Sequence, residues 1–373
     1  MTHDQPPPRP PSPPRRVGFV LLSPAERPVA STRIAALQVF DGLRHHGFEP
    51  VVLYAPATPH QTPDPGLHAA DIAHRGIRVV VFQKVYGPHV LRLAQELQAV
   101  GVATVYLVCD IVEPQMCAAC TATVVVTEYL KSLYPKALQH RIHVVHDGIE
   151  RPEVVATPRP ITPSRSAPLR GVFVTSEDLV DLPGLVVPPP WMSVTCVGEY
   201  APKHQWRARW RRTRWAVRVA ISWQQRWNIA RALACPRVKR VVWTPEGVYD
   251  ELQRADVGLI PIDTTSTFRL PLQPVPSWKL KSENRLTLMM AAGLPVVATP
   301  IPAYEAVIMQ GVDGYLASSR ADWRQALAAL RDPQRRGAMA VAARATVLLP
   351  FSRDRQARQL ADLFAQVQAA NQR

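Results

Sequence analysis

The chain has 373 residues, of which 47% are hydrophobic, so a mainly disordered protein is excluded and two domains with separate cores are predicted. Five cysteines in a chain of this length argue against a disulfide scaffold and indicate a reducing compartment. The net charge of +15 favours phosphate-bearing substrates, an anionic membrane surface or nucleic acid as partners, with a compositional bias of no functional meaning as a further explanation.

Membrane spans and metal sites are not predicted. No apolar run reaches the length of about 18 residues that a span needs, and the amino-terminal region is rich in proline instead of resembling a signal sequence. We therefore expect a cytoplasmic location. Cys117 and Cys120 form a lone CxxC pair, and two buried thiols on a helix are a better interpretation than a zinc site.

The first half of the chain alternates between predicted strands and helices. Residues 1–16 are predicted to be a disordered, polyproline-like tail, and residues 17–150 an amino-terminal domain. Apolar runs predict strands at 17–22, 50–54, 77–82, 103–108, 123–126 and 142–145. Helices are predicted at 31–46, after Pro88 and near 128–134. This order of elements indicates a parallel, doubly wound sheet.

The second half repeats the alternation after a linker. Residues 151–168 are rich in Pro, Ser and Thr and are predicted to connect the domains. The second domain is predicted to span 169–350, and a helix within 351–373 is expected to follow it and to cross back to the first domain. Two Rossmann-like halves of this kind place a substrate cleft between them.

The most informative stretch is 278–316, which reads as loop, helix, buried strand, loop, helix, turn and short strand. Lys279, Lys281 and Arg285 crowd the start of its first helix, and Ser282 is expected to cap that helix. A helix start carries partial positive charge, so this basic cluster predicts a phosphate site at the carboxyl edge of the second sheet.

Several runs resemble the GT-B glycosyltransferases, especially the retaining family-4 type. The runs are ADVGLIP (255–261), MMAAGLPVVAT (289–299), YEAVIMQGVDGYL (304–316), ASTRIAALQVFDGLRHHGFEPVVLY (30–54), VVVTEYLKSLYP (124–135) and VVHDGIE (144–150). The resemblance implies a GT-B fold of two Rossmann-like domains and transfer of a sugar from a nucleotide-sugar to a glycan, lipid-linked or small-molecule acceptor. It also implies retention of anomeric configuration and no metal or other cofactor.

The resemblance also implies roles for single residues. Lys281, Ser282 and Arg285 correspond by position and charge to groups that bind the donor diphosphate, and Glu305 matches a family glutamate. Ser31, Thr32 and Arg33 occupy the first loop and helix start, where they would touch donor or acceptor. Asp110 follows a strand toward the predicted cleft and is the candidate catalytic residue, with a helix cap near Val112 as the alternative.

The chain departs from the family at its donor site. Leu280 and Leu288 stand where the family has two glutamates, and Glu283 lies nearby out of register. The loop at 175–178, where the family has a basic pair, reads Thr-Ser-Glu-Asp and would repel a diphosphate. The alternative function is therefore a non-catalytic GT-B binding or scaffold protein. His146 and Asp147 are interpreted as turn residues at the edge of the linker.

A second unusual segment is 203–231, in which five tryptophans alternate with arginines and no acidic residue occurs. The first interpretation is a helix that packs a stripe of Trp223, Trp227 and neighbouring small residues onto the second sheet. The alternative is an interfacial segment on the inner face of the cell membrane, with tryptophans among lipid headgroups and arginines on anionic lipid. Nucleic-acid binding ranks third because no known nucleic-acid module is present.

Overall fold

The computed structural model describes residues 15–175, 188–198, 223–271 and 273–371, together with residues 207, 210, 211, 214 and 218. Residues 1–14 of the predicted tail (1–16) and the acidic pair Glu177–Asp178 lie outside these residues. Within them, the strands form two sheets of six strands each, and every strand pair is parallel.

The first sheet has the strand order β2-β1-β3-β4-β5-β6. Its strands are β1 (Arg15–Val20), β2 (Phe48–Tyr54), β3 (Ile77–Gln83), β4 (Ala103–Val108), β5 (Ala122–Val125) and β6 (Ile142–Val144). The second sheet has the order β12-β11-β10-β7-β8-β9. Its strands are β7 (Leu169–Val174), β8 (Met192–Gly198), β9 (Val238–Val242), β10 (Val257–Ile260), β11 (Val296–Ala298) and β12 (Gly314–Leu316). The order reverses direction beside β1 and beside β7, and such switch points open crevices at the carboxyl ends of the strands.

The helices pack on both faces of the sheets. In the first domain they are α1 (Ala30–Ala35), α2 (Phe40–His45), α3 (Ala69–His74), α4 (Pro88–Ala99), α5 (Pro114–Ala119) and α6 (Glu128–Ser132). After β8 come α7 (Trp223–Ala234), α8 (Gly247–Gln253), α9 (Asn284–Ala291), α10 (Pro302–Glu305), α11 (Arg320–Ala329), α12 (Pro333–Leu348) and α13 (Arg353–Ala370). No described helix is long and apolar enough to cross a membrane.

The first strand begins earlier than the sequence predicts. Arg15 and Arg16 were assigned to the tail, but they pair with Phe48 and Glu49 of β2. The guanidinium of Arg15 lies 4.0 Å from the centroid of the Phe48 ring, and such a cation–π contact stabilises an arginine at the start of a strand.

The predicted helix at 31–46 is wrong in one respect, because it is broken into α1, a 3-10 turn at Leu37–Val39, and α2. In a continuous helix the carbonyl of Ile34 would accept a hydrogen bond from the backbone of Gln38. Here the side-chain amide of Gln356, in α13, donates to that carbonyl at 3.2 Å. Ala36 departs from helical geometry at the break. The short helices α3 and α5 fall in segments for which no complete helix was predicted.

The interpretation of segment 203–231 as a helix packed through its tryptophans is also wrong in the part that the structure describes. Trp223 and Trp227 of α7 are 77% and 56% exposed, whereas Ile229 on another face is buried. The apolar stripe therefore faces solvent. Trp206 and Trp215 lie outside the described residues.

Helix α13 follows the second domain in the chain but packs on the first sheet. Ala357, Leu360 and Phe364 belong to the same core cluster as Val17, Val79 and other residues of that sheet. Phe364 contacts Phe48 edge-on at a centroid distance of 5.9 Å. The core of the first domain thus depends on a helix that comes after the second domain in the sequence.

Two further contacts connect the domains. The side chain of Gln273 accepts a hydrogen bond from the backbone N–H of Val112 at 2.7 Å and donates to its carbonyl at 3.1 Å. Leu280 is buried in the hydrophobic cluster of the first domain.

Cys117 and Cys120 are buried free thiols at α5, as the sequence predicted.

Candidate active site

A cleft of about 780 Å³ lies between the carboxyl edges of the two sheets. Both domains line it, and the lining residues important here are Ser31, Arg33, Asp110, Asp147, Glu150, Thr175, Trp243, Tyr249, Lys281, Ser282, Arg285, Leu288 and Tyr304. A cavity of this size accommodates a ligand as large as a nucleotide conjugate.

One wall of the cleft is basic. Lys281, Ser282 and Arg285 all line it beside the first turn of α9. Ser282 does not cap the helix, contrary to expectation, because Glu283 is the N-cap residue and makes no side-chain capping bond. Two cationic side chains beside a helix start form a site suited to phosphate.

The predicted residues of the first loop separate in the structure. Ser31 and Arg33 line the cleft, whereas Thr32 is buried and does not. The hydroxyl of Thr32 accepts a hydrogen bond from Ser23 and donates to the Gln83 side chain, each at 2.9 Å. This pattern indicates that Thr32 holds the loop in place.

Arg33 connects the two walls. Its guanidinium donates two hydrogen bonds to the carboxylate of Glu150, at 2.5 and 3.1 Å, and lies 5.6 Å from the Trp243 ring of the second domain. A paired and stacked arginine is held in one orientation. Its guanidinium therefore lines the cleft as a fixed group.

Glu305 lies apart from the other predicted residues. It ends the short helix α10, is exposed and is not among the residues that line the cleft. Its neighbour Tyr304 is buried and does line the cleft.

Asp110 faces the cleft from the first sheet. It follows β4, and the ammonium of Lys84, which follows β3, lies 2.7 Å from its carboxylate. Lys84 has φ of 57°, an uncommon conformation for a residue other than glycine. Asp110 does not cap a helix, because Glu113 is the N-cap residue of α5 and accepts a hydrogen bond from Gln115. A carboxylate fixed by an ion pair at the cleft can accept a hydrogen bond from a substrate hydroxyl.

A group of three titratable residues, of which Asp147 lines the cleft, was not predicted as a site. His146 Nδ1 lies 2.7 Å from the Oε1 atom of Glu283, in the other domain, and the contact raises the pKa of His146. The second carboxylate oxygen of Glu283 is buried and has no hydrogen-bond partner among the residues that the structure describes. Burial, with Glu283 nearby, raises the pKa of Asp147 to about 8. Asp147 is therefore mainly a neutral acid at pH 7 and can donate a hydrogen bond into the cleft.

Sequence reasoning missed this group for a physical reason. His146 and Glu283 are 137 positions apart in the chain, and only the packing of the domains brings them together. The two buried carboxyl groups lie in segments between regular elements, where a polar residue is ordinary.

The two leucines at the family's glutamate positions have different surroundings. Leu280 is turned away into the core of the first domain, and Leu288 lines the cleft three residues beyond Arg285. Among the described residues, no group of three or more His, Cys, Asp or Glu side chains could hold a metal ion.

No protein-family model matches the chain, and no curated protein matches it in sequence. Solved structures do match it in fold. HepE from Anabaena, solved with UDP and glucose, is 13% identical with a TM-score of 0.63, over 94% of this chain and 99% of HepE. A glycosyltransferase from Rickettsia africae is 13% identical with a TM-score of 0.67, over 95% of this chain and 98% of that one.

A third match is sucrose-phosphate synthase from Thermosynechococcus elongatus, at 12% identity and a TM-score of 0.64, over 95% of this chain and 100% of the synthase. The chain therefore has the GT-B fold, as the sequence resemblance implied. At these identities the likeness shows the fold and assigns no substrate.

Proposed function

We propose that the protein is a glycosyltransferase that moves a sugar from a nucleotide-sugar to a glycan, lipid-linked or small-molecule acceptor, in polysaccharide or glycoconjugate assembly. The observation that carries the proposal is the convergence of Lys281, Arg285 and the start of α9 on one wall of an open interdomain cleft. HepE, which shares the fold, was solved with UDP-glucose and with UDP.

The basic wall explains how the donor would react. When the bond between the sugar and the diphosphate breaks, negative charge accumulates on the leaving phosphate oxygens. Lys281 and Arg285, already oriented beside the helix start, stabilise that charge with little reorganisation. The chemistry needs no other cation, so we propose a transferase without a metal.

The opposite wall supplies the groups for the acceptor and the transferred sugar. Asp110, held by Lys84, accepts a hydrogen bond from a sugar or acceptor hydroxyl in this proposal, and Arg33 fixes the same wall. Asp147 has the complementary role of a hydrogen-bond donor, because the carboxyl group of Asp147 carries a proton at neutral pH. Retention of configuration is the stereochemical outcome that we propose, on the resemblance to the family-4 type.

A second candidate function is a non-catalytic binding protein of the same fold. It is favoured by the burial of Leu280 in the opposite domain and by the apolar side chain of Leu288 in the cleft, at positions where the family has glutamates. The cleft is nevertheless open and keeps its basic wall, which favours the transferase.

Thermal denaturation with nucleoside diphosphates and nucleotide-sugars tests the proposal. Binding to the folded state stabilises it by about 2.7 kcal/mol when the ligand is at one hundred times its Kd. We expect one nucleotide base to raise the Tm and the corresponding nucleotide-sugar to be consumed when acceptors are added. Absence of a shift with every nucleotide would overturn the proposal, and binding without turnover across an acceptor panel would favour the non-catalytic protein.

A further inference from the structure

Helix α7 presents an apolar stripe to solvent. Trp223, Trp227, Ala230 and Ala234 recur at spacings that place them on one face of the helix, and all four are exposed. The two indole side chains are 77% and 56% exposed, while Ile229, on a different face, is buried. The helix is therefore attached to the domain by one face and carries a second apolar face without a partner in the chain's described residues.

The surroundings of the stripe are basic. Arg226 and Arg231 are exposed and fall on opposite sides of the stripe, and the sequence from 203 to 231 contains no Asp or Glu. Trp210 is also exposed, at 62%, and the guanidinium of Arg214 lies 5.2 Å from its ring centroid. Exposed tryptophans and arginines thus occur together twice in a segment whose sequence has no acidic residue, once at Trp210 and Arg214 and once on α7.

We propose that the exposed face of α7, together with Trp210, docks on an anionic lipid bilayer. Indole rings have an apolar body and a polar N–H, so they are stable at the headgroup level, and arginines attract anionic headgroups. The alanines of the stripe give the helix a continuous apolar line, which fits the acyl boundary of a bilayer. A single-stranded nucleic acid would use the rings and leave the alanines exposed.

Charge argues against a second copy of the chain as the occupant. A symmetric dimer through this face would bring its arginines toward their own copies, and like charges facing each other are unfavourable. The bilayer proposal does not rest on the proposed transferase activity, because none of the described side chains of α7 is among the residues that line the cleft.

Vesicle flotation of the full chain tests the proposal. The probes are vesicles of phosphatidylcholine alone and vesicles containing phosphatidylglycerol, each at low and at high salt. We expect binding to the anionic vesicles at low salt, weaker binding at high salt and little binding to phosphatidylcholine. An arginine near an anionic surface contributes roughly a fivefold increase in partitioning, so Arg226→Gln with Arg231→Gln should weaken binding roughly 30-fold.

Control variants at other exposed sites show whether vesicle binding depends on this face of α7 or on the charge and hydrophobicity of the protein in general. Trp223→Ala with Trp227→Ala should reduce binding at least tenfold, whereas Arg324→Gln and Val341→Ala, at exposed sites on α11 and α12, should leave it unchanged. All variants should keep the Tm of the parent, since these side chains are exposed.

The proposal is overturned if the full chain does not float with anionic vesicles, or if the tryptophan variant floats as well as the parent. Binding to a single-stranded oligonucleotide without binding to vesicles would also overturn it and assign the surface to nucleic acid.

Discussion

The imidazole of His146 and the carboxylate of Glu283 meet across the domain boundary at 2.7 Å, and Asp147, the residue after His146, lines the cleft. His146 follows β6, the last strand of the first sheet, and Glu283 is the N-cap residue of α9, beside the basic wall. The contact therefore connects the basic wall of the cleft, in one domain, to the domain that carries Asp110.

Stability should fall as the pH rises through neutrality. The pKa of Asp147 is raised to about 8, so the folded protein keeps a proton that the unfolded chain loses near pH 4. The free energy of unfolding therefore decreases as the pH rises from about 4 to about 8. The raised pKa of His146 acts in the same direction, because its contribution is complete below about pH 6.5 and is lost as the folded-state histidine deprotonates.

Asp147→Asn removes the carboxyl contribution. We expect the stability of the variant relative to the parent to grow by about 1.4 kcal/mol for each pH unit between pH 5 and pH 8, because only the parent loses this proton on unfolding. Differential scanning calorimetry over this range is the measurement, with the exposed Asp362→Asn as control. Parallel Tm curves for parent and variant would show that Asp147 is ionised throughout.

Lys281→Ala with Arg285→Ala should remove donor binding. Hydrogen bonds to charged groups contribute about 1.5–3 kcal/mol each, so loss of both should raise the nucleotide Kd by at least about 100-fold. Isothermal titration with the nucleoside diphosphate identified in the thermal screen gives the Kd. Lys279→Ala is the control, because this lysine stacks on Trp278 and is not among the residues that line the cleft. An unchanged Kd in the double variant would remove this wall as the donor site.

Asp110→Asn should affect turnover and spare donor binding. A hydrogen bond to a carboxylate is stronger than one to a neutral amide oxygen by about 1–1.5 kcal/mol, so kcat should fall on the order of tenfold while the nucleotide Kd stays within about twofold. The Tm should change little because the Asp110 side chain is 40% exposed. A fall in kcat that is accompanied by a large fall in Tm would indicate that the Lys84–Asp110 pair only supports the fold.

Glutamates introduced at the two leucine positions should have different effects. Leu280→Glu places an unpaired carboxylate in the core of the first domain and should destabilise the protein by several kcal/mol. Leu288→Glu places it in the open cleft and should cost less than about 1 kcal/mol. Urea denaturation measures both, and Leu280→Met, which conserves volume, is the control. Similar stability for the two glutamate variants would contradict the burial of Leu280.

The parts of the fold that depend on local pattern were predictable. Strand β4 is itself a run of six buried residues that comes after Gly101. Helix α12 begins at Pro333, a residue whose fixed φ favours the first helical turn. The basic wall was found for the same reason, since its members lie within a few residues of each other.

The remainder required the packed structure. Periodicity shows that α7 has an apolar stripe, but it does not show whether the stripe faces the sheet or the solvent. The break after Ile34 depends on an amide from Gln356, more than three hundred positions later. Contacts of such separation leave no signal in a local window of sequence.

Helix α13 has a consequence for the order in which the protein is made. The first domain emerges from the ribosome with its sheet face uncovered, because Phe364 and Leu360 arrive only after the whole second domain has been synthesised. A nascent chain halted before α13 therefore exposes apolar strand surface that chaperones recognise. Synthesis of α13 supplies the side chains that cover this face of the first sheet.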